Sequence, residues 1–189
     1  QIVSVMEVPA YGFPYENALD GLYEGTVAGY KKICQEYVDF YIDRLSQGYS
    51  AWGTIALVDS KQMQGLTDVV KTEIVEHKDA LGNRFDASSI QEYGRQGAYG
   101  LAYDLGHTMK VLNGGTMPQA VADQLGKTVL YRGSLDQAYP SNYKVDAANF
   151  CGLGMYIPMP NNSNWNRAYK TIDWFTAAGW NEVTFSWNF

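Results

Sequence analysis

The sequence predicts an α/β layered fold with a mainly parallel sheet flanked by helices. Three observations predict it. Residues 1–5, QIVSV, open the chain as a strand. Residues 52–60 (WGTIALVDS) and 149–160 (NFCGLGMYIPMP) are largely apolar runs bounded by turn residues, the pattern of strands covered on both faces. Long helical patterns separate these runs, and strands alternating with helices favour parallel sheets.

The elements follow in order. The opening strand breaks at a loop within SVMEVPAYGFPY (4–15), which carries a lone acid, Glu7, and two prolines, Pro9 and Pro14. Residues 16–45 show apolar positions three and four apart from Tyr30 onward, which predicts a helix with one buried stripe that includes Cys34. Gly25 and Gly29 are expected to divide it into a short piece and a long one. After the strand at 52–60, Asp59 or Ser60 is placed to cap the next helix by accepting from a free N–H. That helix, 61–81, turns Met63, Leu66, Val70, Ile74 and Leu81 inward.

A polar connection leads to a helix over 101–112, and GGTMPQAVADQLGKTVLY restarts a helix with Pro118 in its first turn, where a missing N–H costs nothing. A loop over 132–148 precedes the second buried run, which Pro158 and Pro160 end. Residues 161–180 read as one helix stopped at Gly179.

Composition narrows the function classes. The chain has 189 residues, 46% of them hydrophobic and 18% charged, which is globular rather than disordered. It is long enough for a single domain spanning 1–189, or for a large part of a bigger one. No apolar run reaches the roughly 18 residues of a membrane span. Acids outnumber bases 20 to 14, for a net charge of -6, and no stretch clusters Lys and Arg, so nucleic acid is excluded as the expected partner. Fifteen Tyr and five Trp among Asn- and Gly-rich loops suit an exported bacterial protein, although no signal peptide is visible.

Few residues offer chemistry. Cys34 and Cys151 belong to no CxxC or CxxH cluster, and the two histidines lack metal-ligand spacing, so neither a metal nor a cofactor is assigned. Cys151, His107 and Asp104 supply the residue types of a nucleophile, a base and an orienter. The ordinary reading is preferred: Cys151 sits in an apolar strand run as a structural thiol, and Asp104 and His107 are neighbours on one helix face. His77 falls at the edge of its helix's apolar stripe. Glu7 has two readings. It is a surface acid or helix cap, or it projects from the end of a buried strand into a cleft, where α/β ligands bind.

Taken together, these segments resemble the clostripain-like cysteine peptidases. SVMEVPAYGFPYENAL looks like the segment that follows the catalytic cysteine there, and WGTIALVDSKQMQGL like the next strand and helix start. AYDLGHTMKVL resembles a later Tyr-Asp-Leu helix, and GLGMYIPMPNNSNWNRAYKTIDWFTAAGW the closing strand, Tyr-Lys helix and Gly-Trp end.

The resemblance implies a caspase/gingipain-like layered fold, incomplete in this chain, which would be the C-terminal portion of a larger peptidase domain. It implies an exported bacterial endopeptidase that cuts peptide or protein substrates after Arg or Lys. The family's Asp-Ala-Cys motif and its histidine are absent here, so no catalytic residue is expected in this chain, and the dyad would lie on a companion chain or segment. Glu7 becomes the candidate substrate-binding residue, since a carboxylate in a desolvated pocket orients and selects a basic side chain. Calcium is implied by the resemblance alone, without an Asp-rich loop to support it. The residues also leave open a non-catalytic binding module or pseudo-enzyme that stacks aromatic side chains on glycans.

Overall fold

A computed structural model describes residues 1–6, 12–93, 102–138, 144–187 and 189. Two helices pack first: α1 (Tyr15–Glu24) and α2 (Val27–Ser46). Gly25 ends α1 in the left-handed region at φ 62°, which a side chain with a Cβ adopts at a cost. Thr26 then caps α2 by accepting from the Gly29 N–H. Gly29 is therefore inside α2 rather than at a break. It lies where the helices meet: a Cβ on Gly21 would collide with the Gly29 carbonyl oxygen, and one on Gly29 with that of Gly21. The expected buried stripe forms, with Ile33, Cys34, Tyr37, Val38 and Tyr41 facing inward.

Strand β1 (Ile2–Val3) pairs with β2 (Thr54–Val58), which is buried along its whole length. Asp59 caps the 3-10 turn Ser60–Gln62 by accepting from the Lys61 N–H, and α3 (Met63–Glu76) follows. Leu66, Val70 and Ile74 are fully buried along it, each worth about 1.5–3 kcal/mol of burial. Next come α4 (Lys78–Gly82), β3 (Glu92–Tyr93), β4 (Ala102–Asp104), α5 (Leu105–Leu112) and α6 (Gln119–Thr128). The chain closes through β5 (Val129–Ser134), β6 (Gly154–Met155), α7 (Ser163–Tyr169) and α8 (Asp173–Ala177).

The strands do not form the mainly parallel, caspase/gingipain-like sheet that the sequence predicted. Among the described residues 51% are helical and 12% are strand. The strands make two small sheets, ordered β1-β2-β5 and β3-β4-β6, and every pairing is antiparallel. The physical reason lies in the connections. The chain leaves β2 at Val58, passes through α3 to α6, and returns to the end it left, where the Asp59 N–H donates to the Thr128 carbonyl at 2.8 Å. A strand entering there must run back along β2. Continuous burial of β2 reports that both its faces are covered, and says nothing about the direction of its neighbours.

One cover is α2. Tyr131 on β5 donates to Gln35 Oε1, and a Cβ on Gly133 would press on Val38. The other cover is the layer around 150–155: a Cβ on Gly152 would meet Ala56 and Val129 at 3.0 and 3.1 Å. Further expectations change. The helix expected over 101–112 begins only at Leu105, because 102–104 pair as β4 and Asp104 caps α5 from the strand end. Residues 129–131 belong to a strand, not to the end of a helix, and the single helix over 161–180 divides into α7 and α8 before a 3-10 turn at Trp180–Glu182.

Candidate functional site

The site is built around the junction of β4 and α5. A strand ending in Asp and followed at once by a helix places the carboxylate over the first free N–H groups. Asp104 does this, accepting from the His107 N–H through Oδ1 at 2.7 Å. Its other oxygen, Oδ2, accepts from the Tyr93 hydroxyl at 2.5 Å and from the Cys151 N–H at 2.7 Å. Asp104 is completely buried, so its charge is held by these three donors rather than by water. The Thr108 hydroxyl donates to the Asp104 carbonyl, which ties the first turn of α5 back onto the strand.

The structure thus brings Asp104, His107 and Cys151 together, but not as a catalytic relay. Asp104 reaches Cys151 and His107 through their backbone N–H groups. The imidazole Nδ1 that an orienting acid would hold instead accepts from the Gln91 N–H at 3.0 Å. The Cys151 thiol accepts from the Gly106 N–H and donates to the Leu153 carbonyl, both at 3.3 Å. Burial, and then the negative charge of Asp104, push that thiol up to about 12. A thiol so protonated at neutral pH is a poor nucleophile.

Burial also lowers the affinity of His107 for a proton, against the pull of Asp104. A proton on Nδ1 would displace the Gln91 hydrogen bond, so the neutral ring carries its hydrogen on Nε2. Cys34 is equally unsuited to chemistry, fully enclosed in the α2 core with its thiol raised to about 11 by burial. His77 caps the end of α3, its Nδ1 2.9 Å from the Glu73 carbonyl oxygen.

Glu7 lies outside the described residues, as do residues 8–11. The residues before it are anchored. Ser4 Oγ is 3.1 Å from Thr54 Oγ1, and Thr54 Oγ1 accepts from the Val5 N–H. Met6 is buried in a cluster with Tyr93, Val145 and Phe150, beside the Asp104 network. Calcium finds no set of ligands here: among the described residues, no three His, Cys, Asp or Glu side chains gather as a metal site would require.

A pocket of about 520 Å³ opens between α5, α6, β5 and residues 148–151. His107, Lys110 and Arg132 contribute to its lining. It was not legible in the sequence, because Lys110 and Arg132 sit on different elements and reach one pocket only through the return of α6 onto the sheet.

With this geometry in place, solved structures similar to the chain can be compared. A B. fragilis cysteine protease superposes with a TM-score of 0.83 at 21% identity, over 99% of this chain and 79% of that one. A C11 protease of Parabacteroides distasonis, described as an inactive zymogen, gives 0.74 at 21%, over 94% and 51%. A C11 cysteine protease of Bacteroides thetaiotaomicron, described as secreted and bound to an irreversible peptide inhibitor, gives 0.73 at 24%, over 96% and 52%. The fold is that of the C11 cysteine proteases. The chain spans 79% of the first C11-fold chain named here and about half of the other two. No protein-family model matches the sequence, and no curated protein does.

In the C11 fold as this chain presents it, the Gly-Trp end has a structural meaning. Gly179 turns the backbone at φ 84°, and Trp180 is driven into the core beside Tyr169 and Phe185.

Proposed function

We propose that this chain is the non-catalytic part of a clostripain-like (C11) cysteine endopeptidase of an exported bacterial protein. It supplies scaffold and substrate-pocket residues, and the Cys-His dyad lies on a companion chain or segment. The observation that carries this reading is the superposition of nearly the whole chain on C11 proteases. The absence of an accessible thiol from the described residues agrees with it. Export is supported by the relative described as secreted. No described helix is long and apolar enough to cross a membrane.

The sheet edge offers a place for the companion. β1 has β2 on one side and no described strand on the other. Beside it, Ile2, Val3, Ser4, Phe13 and Tyr37 help line a pocket of about 210 Å³. The Tyr37 hydroxyl is buried there without a hydrogen-bond partner among the described residues, a condition that a docked segment carrying a carbonyl would relieve. A glycan-binding module gains less from the structure: Tyr37, Tyr41, Tyr93, Tyr103, Tyr169 and Trp180 are all core residues.

Within this reading Glu7 holds the basic side chain next to the scissile bond. Removing one partner of a buried charge pair costs about 2–5 kcal/mol. Glu7→Ala in the complete enzyme should therefore lower kcat/KM for peptides cut after Arg or Lys by about 30-fold or more. Peptides cut after an uncharged residue should change little. Unaltered kinetics on both substrate types would remove Glu7 from the pocket.

A further inference from the structure

The 520 Å³ pocket has a chemistry that the peptidase reading does not use. In a chain of net charge -6, it gathers Lys110, Arg132 and His107 against a single acid, Asp104. The carboxylate of Asp104 is already committed to three donors. Asp146, the nearby acid whose charge acts on His107, is similarly engaged: its two oxygens accept from the Ala148 N–H and from Asn149 Nδ2.

Neither Lys110 nor Arg132 forms an ion pair with a described residue, and with Nδ1 of His107 held by Gln91, its Nε2–H remains a donor without a described partner. The same pocket is lined by hydrocarbon from Met117, Leu125, Val129 and Leu130. The lining therefore offers three donors suited to negative charge within a largely apolar surface.

We propose that this pocket binds a carboxylate carried on an apolar body. The planar guanidinium of Arg132 matches the two oxygens of a carboxylate, Lys110 adds a second charge, and the Nε2–H of His107 adds a third donor. The apolar body lies against α6 and the start of β5. Two sources offer this chemistry: a free carboxylic acid and the C-terminus of an apolar peptide.

The test is an NMR titration of the protein with 4-phenylbutyrate, following the His107 ring and the methyls of Leu125 and Val129. Saturable shifts are expected, with affinity at least about tenfold weaker for Arg132→Gln, for Lys110→Gln and for the neutral 4-phenylbutan-1-ol. Arg132 is exposed, so a matching thermal melt will show that its variant remains folded.

No shift up to about 10 mM, a weaker binding limit than most specific ligands show, would overturn the proposal. So would equal binding of the alcohol, or of inorganic phosphate, which lacks the apolar body. Acetyl-Leu-Leu-Phe with a free C-terminus, compared with its amide, separates the sources. Tighter binding of the free peptide than of phenylbutyrate points to a chain terminus, and the reverse order to a free acid; either supports the pocket.

Discussion

Asp104→Ala is expected to lower the unfolding free energy by about 3–5 kcal/mol. The carboxylate is fully buried and accepts from the His107 N–H, the Tyr93 hydroxyl and the Cys151 N–H. Truncation strands all three donors. Each unsatisfied buried group costs about 1–3 kcal/mol, and water reaching the site from the adjoining pocket recovers part of the sum.

Asp104→Asn should fall between the unaltered protein and the alanine variant, because it retains one acceptor but turns an NH₂ toward groups that are themselves donors. Tyr93→Phe removes a single donor and should cost about 1 kcal/mol. Burial and the charge of Asp104 both raise the Tyr93 phenol above its ordinary range, so the hydroxyl keeps its proton and remains a donor. Urea unfolding reads these differences as shifts in midpoint at constant slope. A loss below about 1 kcal/mol for the alanine variant would mean that the β4–α5 junction is held by something else.

Trp180→Ala should cost a similar amount, about 3–5 kcal/mol. The indole is 1% exposed. It meets the Phe185 ring at 6.5 Å and 12°, and the Tyr169 ring edge-on at 6.2 Å and 70°. Phe185 in turn stacks on the terminal Phe189 at 4.1 Å. Removing the indole would leave a cavity beside Phe185 and loosen residues 183–187 with it. Because Trp180 Nε1 has no hydrogen-bond partner among the described residues, Trp180→Phe gives up volume but no polar contact. It should cost about 1–2 kcal/mol. Thermal melts of the pair test this, and equal losses for Phe and Ala would contradict a packing role.

The sequence disclosed the parts of this fold that depend on near neighbours. The stripe of α2, the inward face of α3, the Asp59 cap and the glycine stops at Gly25 and Gly179 are all local periodicities or backbone conformations. Strand direction was not legible, because it depends on a return over some seventy residues through α6 that ends on Asp59. β5 was hidden for a related reason: TVLY continues the apolar spacing of α6, and only pairing with β2 makes it a strand. The long apolar run over 149–160 yields a two-residue strand, since Gly152 turns at φ 95° and the prolines end pairing soon after.

The site followed the same rule. The sequence places Asp104 inside a helix over 101–112, whereas it ends β4 and caps α5, and its hold on Cys151, 47 positions away, left no local signal. That contact seats Cys151 where burial first, and the charge of Asp104 second, raise its thiol.

The division of labour proposed for the enzyme, with scaffold in this chain and dyad elsewhere, can be put to one decisive measurement. Native full-length protein would be treated with an Arg- or Lys-directed thiol-reactive peptide probe, then analysed by denaturing intact mass and peptide mapping. A single adduct on a cysteine outside residues 1–189, with Cys34 and Cys151 unmodified, is the predicted result. An adduct on Cys151 would contradict it, and would make the buried thiol the nucleophile.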